Sequence, residues 1–171
     1  RGLIVPLGEW VLRESFRQLK AWQDQSYQSL RIAINISPLQ FQQRTFPQVL
    51  NALSEEYEID PEFIELELTE GSLMRDVDEV IRTLEEIKAL GFSLAIDDFG
   101  TGYSSLSYLR RFPIDRLKID QSFVRDIDRL PANESIARAI VALGHSMSLS
   151  ITAEGIEKVS EKTVIERIGC E

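Results

Sequence analysis

The sequence predicts an α/β fold in which parallel strands alternate with helices. Short β-rich segments recur between segments with helical spacing of apolar residues, at intervals of roughly 20 to 35 residues. Polar residues gather where the predicted strands end, which is the edge at which parallel α/β folds carry their functional sites. The 171 residues are 43% hydrophobic and 27% charged, a composition that suits one globular domain with a sizeable core.

The helices are predicted from apolar residues at helical spacing and the strands from β-branched and aromatic runs. Pro38 bounds the first strand, Pro61 breaks the second helix, and Gly91 is a C-terminal signal for the third. Ser104 is the predicted N-cap of the next, short helix. In chain order, the predicted helices cover 9–22, 46–57, 76–91, 104–112, 122–130, 133–147 and 160–169, and Pro131-Ala132-Asn133 divides the fifth from the sixth. The predicted strands cover 30–37, 63–70, 92–98, 115–120 and 149–156.

Five strands and about six helices fit two architectures, an open doubly wound sheet or part of a (β/α)8 barrel. A complete barrel typically needs about 250 residues. The chain opens in a predicted helix and closes at Glu171, where a further strand would begin. We therefore interpret residues 1–171 as a single domain that is incomplete at both ends, and expect exposed sheet edges and poor solubility for these residues alone.

Charge and composition exclude several functions. A net charge of −9 argues against non-specific binding to nucleic acid, although bound cations can invert the local field for a phosphate ligand. The single Cys170 excludes an internal disulfide and, with the single His145, disfavours a zinc site. No apolar run reaches the ~18 residues of a membrane span, and no signal peptide is predicted.

The predicted carboxyl end of every strand carries an acid, an amide or a lysine. In strand order they are Asn35; Glu67 and Glu70; Asp97 and Asp98; Lys118 and Asp120; and Glu154 and Glu157. Along the second strand, Glu65 and Glu67 alternate with apolar residues of the opposite face. An unpaired buried carboxylate is costly, so this face needs a cation, a hydrogen-bond network or water. Glu65 lies further from the strand end and is interpreted as a network residue.

The candidate metal ligands are all hard oxygen donors. They are Asn35, Glu67, Asp97, Asp98 and Glu154. Such a set favours Mg²⁺ or Mn²⁺, with Ca²⁺ as an alternative. Two adjacent aspartates can serve a pair of ions about 3.5–4 Å apart, which suits phosphodiester displacement. Lys118 would then hold a nucleophilic water or balance transition-state charge.

A structural interpretation of the same residues stays open. Acids at strand ends also serve as helix caps and turn formers, and for Glu70 and Asp120 this explanation is as good as direct chemistry. The segment 99–105, FGTGYSS, is either an ordinary glycine turn or a hinged loop over the site.

The chain contains, in this order, the segments NISPLQF, LELTE, DDFGTGYSSL, LKID and AEGIE. These segments are similar to the signature blocks of the EAL domain family, bacterial phosphodiesterases that act on cyclic di-GMP, and the chain resembles that family. The resemblance extends from GLIVPLGEWVL to IGCE. It implies a modified TIM barrel, so a partial (β/α)8 barrel is the predicted fold. It also implies hydrolysis of cyclic di-GMP to linear pGpG by a two-metal mechanism with Mg²⁺ or Mn²⁺.

The resemblance assigns roles position by position. It implies that Asn35, Glu67 and Asp97 are metal ligands and that Asp98 and Glu154 serve the second metal. It implies that Lys118 contacts the catalytic water and that Glu70 anchors the loop after the third strand. Asp120 and Glu157 are implied to be supporting acids. Lys118, Glu154 and Asp98 are accordingly the candidate catalytic residues.

The family's name-giving glutamate would precede Arg1, and a further glutamine would follow Glu171, so the resemblance implies that these residues alone are inactive. It also implies a homodimer formed through the loop and the helix after the fourth strand. An accessory sensor or GGDEF-type domain is expected in a parent protein located in the cytoplasm or anchored at the cytoplasmic face of a membrane.

Two alternative functions remain open at this point. One is an inactive module that binds cyclic di-GMP without cutting it. The other, which ignores the resemblance, is an enolase-type lyase; the adjacent aspartates on one strand favour phosphodiester chemistry over it.

Overall fold

The computed structural model of the protein describes residues 2–74, 76–102 and 106–170. Its helices are α1 (Ile4–Asp24), α2 (Pro38–Phe41), α3 (Phe46–Tyr57), α4 (Val77–Ala89), α5 (Leu106–Leu109), α6 (Gln121–Val124), α7 (Pro131–Ser146) and α8 (Val159–Arg167). Its strands are β1 (Ile32–Asn35), β2 (Ile64–Thr69), β3 (Ser93–Phe99), β4 (Arg116–Ile119) and β5 (Ser150–Ala153). Turns of 3-10 helix cover Pro61–Phe63 and Glu70–Ser72 on either side of β2.

The five strands belong to one sheet in the order β1-β2-β3-β4-β5. The described pairings are parallel, and they place Asn35 beside Glu67 in β1 and β2, and Lys118 beside Thr152 in β4 and β5. Each strand therefore returns to the next through a crossover that contains helix, as the α/β prediction requires. A doubly wound sheet reverses its strand order at a switch point, and the order of the described strands contains no reversal. The barrel-type prediction is confirmed.

The chain divides into two compact units, and the first comprises Arg1–Leu68 and Asp76–Leu94. Its core begins on α1, where Leu12, Phe16 and Leu19 form a buried stripe at helical spacing. The Phe16 ring lies 6.3 Å from the ring of Tyr57 and 6.5 Å from that of Phe92, between centroids. These aromatic contacts hold α1 against the end of α3 and the start of β3.

The second unit comprises Thr69–Arg75 and Ala95–Glu171. Helix α7 packs against β4 and β5 with Ala137, Ile140 and Val141 buried. Gly144 lies so close to β5 that any Cβ there would collide with Ile151. This close approach of helix to strand fixes β5, the strand that leads to Glu154.

Several predicted boundaries are wrong for identifiable reasons. The predicted helix 122–130 stops at Val124, since Asp126 adopts a left-handed backbone with φ of 54°. Pro131 does not divide two helices but begins α7, because proline is tolerated in the first turn, where an N–H has no partner. Ser37 begins the unpredicted turn α2 and forms a capping box with Gln40. The predicted cap Ser104 lies outside the described residues.

Within the described residues, no helix combines the length and the apolar composition that crossing a bilayer requires.

Candidate active site

Two predicted site residues lie side by side in the first unit. Asn35 is the last residue of β1, and its register partner is Glu67 in β2. Glu67 is 6% exposed, whereas Asn35 is exposed. Ile64, Leu66 and Leu68 on the opposite face of β2 are fully buried, which confirms the predicted alternation. The first unit thus presents one amide and one carboxylate at paired positions near the carboxyl ends of two strands.

The adjacent aspartates of β3 lie in a β-bulge. Ile96 pairs with Leu117 and Phe99 pairs with Ile119, so Asp97 and Asp98 together oppose one residue of β4, Lys118. Asp98 has a left-handed backbone with φ of 54°, and its N–H donates to Asp97 Oδ1 at 3.0 Å. In a regular strand, consecutive side chains point to opposite faces. The bulge interrupts that alternation at Asp97 and Asp98.

Lys118 lies between two carboxylates in the second unit. Its Nζ is 3.2 Å from Asp97 Oδ1 and 2.7 Å from Glu154 Oε1. The Lys118 side chain is 8% exposed, that of Asp97 13% and that of Glu154 41%. A buried ammonium needs such counter-charges. Glu154 follows β5 directly, and its N–H donates to the carbonyl of Ile119, which aligns the ends of β4 and β5.

The carboxyl groups of Asp98 and Asp120 influence each other's ionisation. Removal from solvent, the neighbouring Asp97 charge and the hydrogen bond to Asp120 raise the pKa of Asp98. Partial burial opposes ionisation of Asp120, but hydrogen bonds from the hydroxyl and the N–H of Ser122 and from Asp98 outweigh it and lower its pKa. Crowded acids with a raised pKa need a proton or a cation, and hard oxygen donors fit a divalent cation. The residues present therefore fit a metal such as Mg²⁺ or Mn²⁺.

Glu70 lies against the loop that follows β3. Its residue is 2% exposed, and its Oε2 accepts a hydrogen bond of 2.9 Å from the N–H of Gly100. Its Oε1 is buried without a hydrogen-bond partner among the described residues. A Cβ at Gly102 would lie 2.6 Å from that oxygen. This geometry agrees with an anchor for the loop; Tyr103, Ser104 and Ser105 lie outside the described residues.

Glu157, a predicted supporting acid, pairs with Arg125 at the protein surface. Its carboxylate lies 3.5 Å from Arg125, and both side chains are 66% exposed. Sequence reasoning also missed a residue nearby, Glu161, which is 1% exposed and accepts three backbone hydrogen bonds. The available signal was its position in the first turn of α8, where an acid can bond the N–H groups at the helix start. The N-cap residue of α8 is Lys158 and not a Ser or Thr, so the sequence did not show the usual capping-box pattern.

The comparisons with known proteins identify the family of the chain. The EAL domain model matches residues 1–171, and the chain belongs to the EAL domain family. It is 44% identical over 170 residues to the bifunctional diguanylate cyclase/cyclic di-GMP phosphodiesterase MucR of Pseudomonas aeruginosa, covering 99% of this chain and 25% of MucR. It is 42% identical over 168 residues to the cyclic di-GMP phosphodiesterase PdeR of Escherichia coli, covering 98% of this chain and 25% of PdeR. The chain therefore spans a quarter of the length of these curated relatives.

Two solved structures resemble the chain closely. The MucR phosphodiesterase in complex with cyclic di-GMP has a TM-score of 0.95 at 41% identity, covering 99% of this chain and 69% of that one. The manganese and cyclic di-GMP complex of BlrP1 from Klebsiella pneumoniae has a TM-score of 0.83 at 26% identity, covering 95% of this chain and 42% of that one.

Proposed function

We propose that the chain is the phosphodiesterase part of a signalling protein and opens cyclic di-GMP to linear pGpG with the help of divalent cations. One observation carries the proposal: the Lys118 ammonium lies between the carboxylates of Asp97 and Glu154, next to the β-bulge that contains Asp98. Membership of the EAL family, and relatives named cyclic di-GMP phosphodiesterases, support it.

We propose Asp97, Asp98 and Glu154 as metal ligands in the second unit, and Asn35 and Glu67 as metal ligands in the first unit. The carboxylate and amide oxygens of these residues suit Mg²⁺ or Mn²⁺, and the manganese in the BlrP1 complex supports the choice. When bound, the cations would supply Lewis-acid activation of the phosphodiester and of the attacking water.

The chain's own residues would orient the reaction and balance its charge. Asp97 and Glu154 hold the Lys118 ammonium in one place, so its positive charge is already directed before charge develops on the phosphate oxygens. Asp120 accepts from Asp98 and is itself held by the N–H of Ser122, which keeps the Asp98 carboxyl oriented. Lys118 and Asp98 are therefore proposed to touch the reacting groups, and Asp120 to position Asp98.

The partners belong to the same proposal. A homodimer, an accessory sensor or GGDEF-type domain and a cytoplasmic location remain predictions, supported for the accessory domain by the bifunctional name of MucR.

The test is hydrolysis of cyclic di-GMP by the purified full-length protein with Mg²⁺ or Mn²⁺, with pGpG separated by chromatography. We expect Asp97→Ala and Glu67→Ala each to lower kcat at least about 100-fold. Glu166→Ala is the matched control, because Glu166 is an exposed acid paired with Lys162 on α8.

Absence of turnover above background at micromolar enzyme would contradict the proposal. Calorimetric binding of cyclic di-GMP without cleavage would instead support the regulatory binding module. Full activity of either alanine variant would show that the ligand assignment is wrong.

A further inference from the structure

A buried carboxylate joins two backbone segments of the second unit. Glu161 Oε1 accepts from the N–H of Asp126 at 2.8 Å, and Oε2 accepts from the N–H groups of Glu157 and Lys158 at 3.0 and 3.1 Å. The Lys158 ammonium lies 3.3 Å from Oε1. Since the residue is 1% exposed, these donors replace water around the charge. Glu161 therefore fixes the loop after β5 to the turn after α6.

The carboxylates of Asp126, Asp128 and Glu161 lie within 4.8 Å of one another, but cationic side chains pair with all three, and Arg129 Nε lies 3.8 Å from Asp128 Oδ2. The Lys158 ammonium bonds both Asp126 and Glu161. The backbone N–H of Asp126 is the largest of the effects that lower the pKa of Glu161 to about 2, with the N–H groups of Glu157 and Lys158 acting in the same sense. Glu161 is thus a fixed anion that binds backbone, not a candidate ligand.

The loop that Glu161 holds, residues 154–158, lies directly on α6. Gly155 has a left-handed backbone with φ of 72°, and a Cβ there would lie 2.6 Å from Gln121 Cβ. At the other end of α6, Arg125 pairs with Glu157. β5 ends at Ala153 and the Glu154 N–H bonds the Ile119 carbonyl, so the residues after Glu154 restrain its backbone from the C-terminal side.

We propose that Glu161 is a positioning residue for the reaction: by fixing loop 154–158 to the turn after α6, it places the Glu154 carboxylate 2.7 Å from the Lys118 ammonium. The inference rests on the proposed function, because it concerns the same Lys118 and Glu154. Glu161 acts through the loop and contacts neither of these side chains among its described hydrogen bonds.

The test compares Glu161→Ala with the full-length wild-type protein. Hydrogen exchange without substrate should be at least about tenfold faster at the amides of Asp126, Glu157 and Lys158, which lose their acceptor. With cyclic di-GMP and Mn²⁺, kcat should fall about tenfold, as for other residues that orient a ligand group, with KM changed less than about twofold. Glu161→Gln should lie between, since its amide keeps one acceptor oxygen and turns an NH₂ toward N–H donors.

Two controls separate positioning from general stability. Val164→Ala removes buried apolar contacts of the same helix and leaves the Glu161 bonds intact, so it should lower the Tm without the selective loss of kcat. Glu166→Ala removes an exposed acid of α8 and should leave both kcat and exchange unchanged.

Faster exchange with an unchanged kcat in Glu161→Ala would overturn the positioning role. If Val164→Ala has the same Tm as Glu161→Ala and loses as much kcat, the positioning role would also be overturned. Unchanged amide exchange would overturn the anchoring of the loop itself, whatever the activity. Failure of the wild type to hydrolyse cyclic di-GMP would contradict the proposed function, and the exchange comparison, which needs no substrate, would still decide whether Glu161 holds the loop.

Discussion

Two clusters of acids and a lysine lie in the second unit, and they differ in how their charges are satisfied. Around Lys118, the carboxylates of Asp97 and Glu154 pair with the ammonium, and the neighbouring acids raise the pKa of Asp98. Around Lys158, Glu161 is surrounded by backbone N–H donors. The first cluster has acids left for a cation, and the second is complete without one.

The two clusters also share a backbone feature. Asp98 and Asp126 both have φ of 54°, the left-handed region that aspartate tolerates better than most residues. At Asp98 the strained residue belongs to a bulge between paired strands, and at Asp126 it ends a helix and directs an N–H to Glu161. Strain and acidic composition therefore do not distinguish the two clusters; the way in which their charges are satisfied does.

The largest expected difference is between the two lysines. Lys118→Met removes the charge at nearly constant length, and kcat for cyclic di-GMP should fall about 100- to 1,000-fold because a preorganised cation is lost. Lys158→Met should change kcat less than about threefold, since three N–H donors still hold Glu161. Steady-state kinetics of both variants check this. Retention of more than a tenth of the wild-type kcat by Lys118→Met would contradict the distinction.

The position of the candidate site residues at strand ends could be predicted from the sequence. Period-two alternation placed Glu67 opposite the buried Ile64, Leu66 and Leu68, and the parallel strands place their polar ends at one edge of each strand pair. The end of α4 before Gly91, whose φ is 102°, was likewise accessible from local chemistry.

The bulge, the contacts of Glu161 and the end of α6 could not be predicted from local sequence patterns. The bulge at Asp97 and Asp98 exists only in the register with β4, a long-range property that no local pattern encodes. Glu161 was missed because its partners are backbone N–H groups, including one from Asp126, a residue distant in sequence. The early end of α6 follows from that same left-handed Asp126.

A smaller effect is expected when the two left-handed aspartates are compared. Asp98→Asn and Asp126→Asn both keep a side chain that tolerates the left-handed region, so the backbone cost is similar and the charge is the variable. Calorimetry without substrate should show Mn²⁺ binding at least about tenfold weaker in Asp98→Asn and changed less than about twofold in Asp126→Asn. Equal weakening in both would mean that the second cluster also binds the ion.

The smallest expected effect concerns acid stability and tests the completeness of the Lys158 cluster. The pKa of Glu161 is about 2 in the folded chain against an ordinary 4.5, because N–H donors stabilise the carboxylate. A lowered folded pKa contributes stability that is present above pH 4.5 and is lost as the pH falls toward 2. Glu161→Gln cannot titrate, so its free energy of unfolding should decline less than that of the wild type across this window.

Urea denaturation of both proteins at successive pH values measures this difference, and Glu166→Gln, an exposed acid on the same helix, is the control. The control should follow the wild type, because its surroundings are solvent and a single lysine. Parallel curves for Glu161→Gln and the wild type would mean that Glu161 is as easily protonated in the folded protein as in the unfolded chain. The N–H groups would then not stabilise the Glu161 carboxylate, and the contrast with the Lys118 cluster would fail.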